Sequence, residues 1–170
     1  MMQTQILLYF VIGVYLNCLI VEIKMKKVLS YNTKKHAEVI CITGDIEKVV
    51  KESNILNGTL FAYTLHTTLG LTIQEAAEKN LCGDIIDQLK KIVDDDGSKY
   101  AHRCALHPSR ICETDDVNGP SHVRQVLINQ TIILDIENGK LNKGQFQDIG
   151  LVELDGPRDN RKVLIKILKD

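Results

Sequence analysis

The sequence contains no tryptophan, and aromatic residues of all kinds make up only 5% of it. Acidic and basic residues nearly balance, which gives a formal net charge of -1 at pH 7. Proteins that bind nucleic acids usually carry a basic surface for the phosphates and often aromatic rings for the bases. Because both features are missing, we expect no nucleic-acid partner.

The five cysteines form no Cys-x-x-C pair, and their number is odd. Disulfide-rich domains and zinc ribbons depend on paired cysteines, so the pattern favours reduced thiols in a cytoplasmic protein. The sequence also lacks a Gly-rich phosphate-binding loop and a Gly-x-Ser-x-Gly elbow, the signatures of P-loop and α/β-hydrolase enzymes. Cys104, close to His102 and His107, is a weaker candidate for a nucleophile.

A strongly apolar run from Ile6 to Ile23 precedes the first lysines. The run is long enough for a marginal membrane span, and no basic residue or small-residue cleavage site marks it as a signal peptide. We interpret residues 1–24 as an N-terminal extension, either a gene-model artefact upstream of Met25 or a membrane anchor. Residues 25–170 have the length of a single domain. Membrane association is expected only if residues 6–23 form a real anchor.

Alternating segments rich in β-branched residues and segments with helical spacing predict an α+β domain. Two main helices and one short helix are expected among antiparallel strands. The predicted strands are 27–31, 37–43, 59–65, 131–136, 145–154 and 162–168, and the predicted helices are 45–53, about 76–93 and 121–129. Asn138-Gly139 predicts a hairpin turn, and Asn118 predicts a helix cap. The segment from Asp94 to Gly119 is a long irregular region.

The polar cluster His66-Thr67-Thr68 lies between two apolar runs, where burial costs free energy unless every polar group finds a partner. His102 and His122 lie beside the long irregular region. Neutral imidazoles suit zinc or a similar divalent ion, and three of them leave a coordination position open for water or substrate. No histidine pair has the spacing of a known metal motif, so three unrelated histidines remain the alternative.

Three charged residues are further candidates for chemistry. Glu75 and Asp84 are candidate acids, bases or groups that orient a ligand, and exposed helix charges are the alternative for both. Arg158, which follows Gly156-Pro157, is a candidate clamp for a phosphate or carboxylate. Its alternative role is to pair with a neighbouring aspartate in a tight turn.

Several of these segments together resemble the YjbQ-like family, often named secondary thiamine-phosphate synthase. The resemblance extends from Met25 to Asp170, with Gln74 in place of the usual Asn and Phe146 in place of a common Trp. The longer spacing between His102 and His122 leaves His107 as an alternative to His102. The segments that carry the resemblance are His66–Thr68, Thr72–Glu75, Asp84, Tyr100–His102, Asn118–His122, Gly144–Ile149 and Glu153–Arg158.

The resemblance implies a β-sandwich-like antiparallel core, a homotrimer and a site that binds a small phosphorylated substrate. In this sequence the metal ligands would be His66, His102 and His122. Glu75 and Asp84 would be catalytic, and Thr67, Thr68 and Arg158 would bind the substrate. The family name implies a transferase that joins a hydroxymethylpyrimidine pyrophosphate to a thiazole phosphate. The alternatives are a non-catalytic trimer that binds a metal or ligand, and a metal-dependent hydrolase of unknown substrate.

Overall fold

Two antiparallel sheets form the centre of the protein in a computed structural model that describes residues 23–106 and 117–170. The first sheet has the strand order β1-β8-β3-β5-β6, and the second has the order β2-β7-β4. The strands are β1 (Ile23–Tyr31), β2 (Glu38–Cys41), β3 (Gly58–Thr64), β4 (Leu69–Gln74), β5 (Thr131–Glu137), β6 (Lys140–Asn142), β7 (Asp148–Glu153) and β8 (Arg161–Lys169). The helices are α1 (Thr43–Ser53), α2 (Lys79–Ile92) and α3 (Gly119–Val126). The predicted α+β, sandwich-like class is confirmed.

The main core lies between the facing sides of the two sheets. Leu60 and Ile165 from the five-stranded sheet pack with Leu71 and Leu151 from the three-stranded sheet, and all four are fully buried. Alternate residues of a strand point to opposite faces, so each strand supplies every second side chain to this core. Helix α1 adds one apolar stripe to the same cluster, formed by Ile46, Val49 and Val50.

Helix α2 covers the other face of the three-stranded sheet, where Ile86 packs with Val152 and Leu154. The Glu78 carboxylate caps the start of the helix by accepting hydrogen bonds from the Asn80 and Leu81 amides. No helix in the described part of the chain is both long and apolar enough to cross a membrane. Most of the apolar N-terminal run, through residue 22, lies outside the described residues, and Ile23 already belongs to β1.

Three local predictions differ from the structure. Strand β4 was not predicted, because its first residues are buried on both faces and show no alternation. Helix α2 starts at Lys79 rather than near Ala76. The strand predicted at 145–154 is shorter in the structure, where β7 covers only Asp148–Glu153. Asn118 is the N-cap residue of α3, as predicted, but its side chain makes no capping hydrogen bond, and its amide group donates to Asp155. The hairpin turn is confirmed at Asn138 and Gly139, both with positive φ.

Candidate functional site

The loop that carries His66, Thr67 and Thr68 connects strands in different sheets. It leaves the five-stranded sheet after Thr64 and enters the three-stranded sheet at Leu69. The Thr64 hydroxyl donates a 2.9 Å hydrogen bond to the Leu69 carbonyl, which ties the two ends of the loop together. This crossing places the polar cluster at one end of the sandwich, where both sheets meet.

Backbone groups hold the His66 ring next to the start of β8. The Lys162 amide donates a 2.9 Å hydrogen bond to His66 Nε2. Burial, reinforced by the positive charge of Arg161, lowers the pKa of His66 below its ordinary value. The ring is therefore favoured in its neutral form, with one nitrogen accepting a backbone hydrogen bond.

Helix α3 brings His122 to the same end of the sandwich. The helix start packs tightly against the segment before His102, because a Cβ at Gly119 would lie 2.6 Å from the Tyr100 Cβ. The Ser121 hydroxyl donates to the Leu154 carbonyl at the end of β7. These contacts fix the start of α3 and, with it, the position of the His122 backbone.

His102 and His122 contact each other through their rings. The ring centroids are 4.7 Å apart and the rings meet edge to face, at 65°. Burial, together with the proximity of His102, lowers the pKa of His122. Within the described residues, His102 Nε2 and Asn118 Oδ1 are buried atoms without a hydrogen-bond partner. Buried polar atoms of this kind point to a missing ligand, ion or neighbouring group.

A tight turn places Asp155 and Arg158 opposite the histidines. Arg158 Nη2 donates to Asp155 Oδ2 and its Nε donates to the Asp155 carbonyl, both at 2.9 Å. The Arg158 amide donates to the Thr33 hydroxyl, and the Thr33 amide donates to the Arg158 carbonyl. The turn is thus fixed to the loop between β1 and β2, and Arg158 lies at its exposed edge.

These elements line an open cavity of about 450 Å³. That volume is in the range of sites for small molecules. The cavity wall is mostly polar. It contains histidine and arginine side chains, hydroxyls, an amide and carboxylates. The lining residues are Leu65, His66, Thr67, Thr68, Asn118, His122, Asp155, Arg158, Asp159 and Arg161.

The structure brings together part of the predicted site. His66, Thr67, Thr68, His122 and Arg158 line one cavity, and the His102 ring packs on His122. His107 lies outside the described residues, so the choice between it and His102 stays a prediction. Within the described chain, no group of three or more His, Cys, Asp or Glu side chains is arranged to hold a metal ion.

Glu75 and Asp84 do not line this cavity. Glu75 is half-buried just after β4, and Asp84 is exposed on α2, beside a separate apolar groove. Within one chain they are therefore not neighbours of the histidine site, contrary to the expected proximity. A catalytic role for either residue stays a prediction.

Sequence reasoning missed a buried ion pair beneath the cavity. Glu153 is fully buried, Arg161 is 4% exposed, and Arg161 Nε lies 2.7 Å from Glu153 Oε2. Glu153 begins one of the segments that carry the family resemblance, and this is the signal that could have pointed to it. Arg161 stands outside those segments, in a run of charges that resembles an exposed turn.

The profile of the UPF0047 protein YjbQ-like family matches residues 27–170. The chain belongs to the YjbQ-like UPF0047 family. A UPF0047 protein of Archaeoglobus fulgidus is 34% identical over 140 residues, which cover 82% of this chain and 98% of that relative. The UPF0047 protein YugU of Bacillus subtilis is 30% identical over 144 residues, 85% of this chain and 99% of the relative.

Solved structures of YjbQ-like and related proteins share the fold. A YbjQ-like protein of unknown function from Sulfolobus solfataricus is 28% identical and superposes with a TM-score of 0.74. The match covers 86% of this chain and 97% of that one. A hypothetical protein from Aeropyrum pernix is 27% identical, with the same TM-score and coverage of 86% and 99%. The two-sheet architecture is thus common to these proteins.

Proposed function

We propose that this UPF0047 protein is an enzyme that binds a small phosphorylated molecule in the cavity between the His66 loop and helix α3. One observation carries the proposal: two imidazoles favoured in the neutral form and two arginines line the same small-molecule-sized space. Guanidinium groups match the oxygens of phosphate groups, and neutral imidazoles exchange protons near neutral pH. Such a combination serves transfer or cleavage of phosphorylated compounds.

The reaction implied by the family resemblance is the coupling of a hydroxymethylpyrimidine pyrophosphate to a thiazole phosphate. The thiazole nitrogen forms a bond to the methylene carbon of the pyrimidine, and the bond from that carbon to the pyrophosphate oxygen breaks. Negative charge accumulates on the departing pyrophosphate, so arginines on the cavity wall would stabilise the transition state. His122, neutral and partly buried, would orient the pyrimidine by a hydrogen bond without repelling a cationic product.

A divalent metal, zinc or a similar ion, stays a prediction for this site. The buried and unpartnered Nε2 of His102 fits a metal ligand, with His122 directly beside it. His66 does not fit in its present position, because its Nε2 already accepts a hydrogen bond from the Lys162 amide. The three-histidine set fits a metal only in part, and the proposed roles of the side chains do not require one.

The proposal is tested by incubating the purified protein with both phosphorylated substrates and measuring thiamine phosphate by mass spectrometry. We expect product formation that falls by about tenfold in His122→Ala, the range for loss of one hydrogen bond that orients the substrate. His36→Ala is the matched control, because His36 is an exposed histidine that does not line the cavity. Equal loss in both variants, or no product from the wild-type protein, would contradict the synthase proposal.

The alternatives give different results in the same samples. A hydrolase would release phosphate or pyrophosphate from one substrate alone, without forming the coupled product. A non-catalytic binding protein would bind zinc or pyrophosphate in calorimetry and turn over neither substrate. The buried, unpartnered Nε2 of His102 is the observation that favours this last alternative, because a bound ion would satisfy it.

A further inference from the structure

A buried arginine forms part of the cavity wall beneath the histidines. Arg161 is 4% exposed, yet it lines the cavity that also contains His66 and His122. A buried guanidinium costs free energy unless hydrogen bonds and an opposite charge compensate it. A side-chain nitrogen of Arg161 that has no partner within the protein is therefore available to a ligand in the cavity.

Two of the three nitrogens are engaged within the protein. Nε lies 2.7 Å from Glu153 Oε2, and Nη2 lies 2.8 Å from Glu153 Oε1. Nη2 also donates to the hydroxyl and the carbonyl of Thr68, at 2.9 and 3.1 Å. Among the described residues, every hydrogen bond and ion pair of the Arg161 side chain uses these two nitrogens. The donors of Nη1 remain for a ligand.

Glu153 compensates the charge from the side away from the cavity. The carboxylate is fully buried and is not part of the cavity wall. Its oxygens also accept hydrogen bonds from the Leu154 and Asp155 amides, both at 2.9 Å, and from the Thr33 hydroxyl at 3.1 Å. The pair thus presents its positive member to the cavity, in one fixed orientation.

Arg158 is the arginine that the sequence predicts to bind the anion. It differs from Arg161 in its exposure to solvent and in the position of its carboxylate partner, which lines the cavity. Its side chain is 40% exposed, and its Nε and Nη2 nitrogens already donate to Asp155. Solvent screens an exposed charge, and a carboxylate in contact competes with any incoming anion. Arg158 is therefore suited to the rim of the cavity, and Arg161 to its floor.

We propose that Arg161 holds the phosphate group of the substrate at the floor of the cavity, through Nη1 and beside the Thr68 hydroxyl. This inference rests on the proposed function, because it names the residue that anchors the phosphorylated ligand. Arg161 is then a substrate-binding residue, and Glu153 is a positioning residue that fixes the guanidinium. Because Glu153 also neutralises the guanidinium, it weakens the attraction for anions while it sets the geometry.

Binding of inorganic pyrophosphate, followed by phosphorus NMR titration, separates this role from a purely structural one. We expect Glu153→Gln to bind pyrophosphate more tightly than the wild type, since the Gln oxygen and Thr68 still accept hydrogen bonds from Arg161 while the guanidinium loses its counter-charge. The double variant, in which Arg161→Met is added to Glu153→Gln, should bind pyrophosphate at least about tenfold more weakly than the wild type, the loss expected for a charged hydrogen bond. A structural role alone predicts weaker binding in both variants. Circular dichroism and thermal unfolding report whether each variant is folded.

Arg158→Ala is the matched control, and it should weaken binding less than the removal of Arg161. The double variant replaces the buried ion pair by two uncharged side chains, a change that proteins often tolerate, so it serves if Glu153→Gln alone fails to fold. Wild-type affinity in a folded double variant would overturn the role of Arg161 and leave the proposed function standing. Absence of pyrophosphate binding by the wild-type protein would overturn both.

Discussion

His66 and His122 lie on the cavity wall, where partial burial favours their neutral rings. The unfolded chain exposes both rings to water, where their ordinary pKa is about 6.5. As the pH falls through that value, the unfolded chain binds protons that the folded chain resists. Stability therefore rises with pH across this window, since the unfolded state carries more protons.

We expect the free energy of unfolding to decrease as the pH is lowered from about 7.5 to about 5.5, above the range where most carboxylates titrate. Urea denaturation at several pH values measures this dependence. His122→Gln and His66→Gln should each reduce the slope, because one titrating ring is removed. A slope that is unchanged in both variants, or that has the opposite sign, would contradict the neutral, partly buried state of these rings.

Helix α3 is attached to the end of helix α2 by the buried side chain of Arg124. This residue is fully buried, and its Nε and Nη2 donate to the Val93 carbonyl, which closes α2. Nη2 also pairs with Asp95 at 2.6 Å. A cation at the C-terminal end of a helix interacts favourably with the helix dipole and its unpaired carbonyls. Because His122 lies on α3, this contact helps set the position of the site.

Arg124→Met should lower the free energy of unfolding by about 1–3 kcal/mol, the cost of leaving the buried Val93 carbonyl without its donor. Asp95→Asn is the matched control, because the Asp95 side chain is 53% exposed. The asparagine side chain of this variant keeps an oxygen that can accept from the guanidinium, so loss of the Asp95 charge should cost less than loss of the whole Arg124 contact. Urea denaturation of both variants checks the ranking. A larger effect from Asp95→Asn would show that the ion pair, rather than the carbonyl contact, stabilises the attachment.

The outer face of the five-stranded sheet carries a group of apolar residues beside the lysines Lys26 and Lys166. Phe61 is paired with Ile133, and Tyr63 with Leu164, which in turn is paired with Val28. These five residues, which we call the outer patch, include Ile133 at 57% exposure and Val28 at 46%. Contiguous apolar surface of this kind commonly marks an interaction site. The outer patch is the surface that we propose for assembly into the expected homotrimer.

Light scattering at micromolar concentration should give the mass of three chains. Ile133→Glu should shift the mass towards one chain, since a buried and unpaired carboxylate at an interface is strongly unfavourable. The matched control is Ile92→Glu, because Ile92 is also highly exposed but lies at the end of α2, away from the outer patch. A wild-type mass of one chain would contradict the trimer. Disruption by the control alone would place the interface elsewhere.

Local patterns in the sequence determined much of the secondary structure and part of the site. Helical spacing located α1 and α2, and Asn138-Gly139 located the hairpin, because these signals act through neighbouring residues. The sequence does not predict strand β4, because its residues are covered by β7 and by residues 128–129 after α3, and both contacts form only in the folded chain. The polar cluster His66–Thr68 stood out because such residues are costly between apolar runs. The structure places this cluster in the wall of the cavity, and its role in binding stays a prediction.

The partners of the buried charges depended on the folded chain. Glu153 and Arg161 are separated by a tight turn that sequence patterns treat as exposed, yet both become buried where the two sheets meet. The Asn118 side chain, at the N-cap of α3, likewise contacts Asp155 and makes no capping hydrogen bond. Spacing along the chain reports which residues share a face of one element. It carries no information on which distant groups meet, because that is set by the packing of whole sheets and helices against each other.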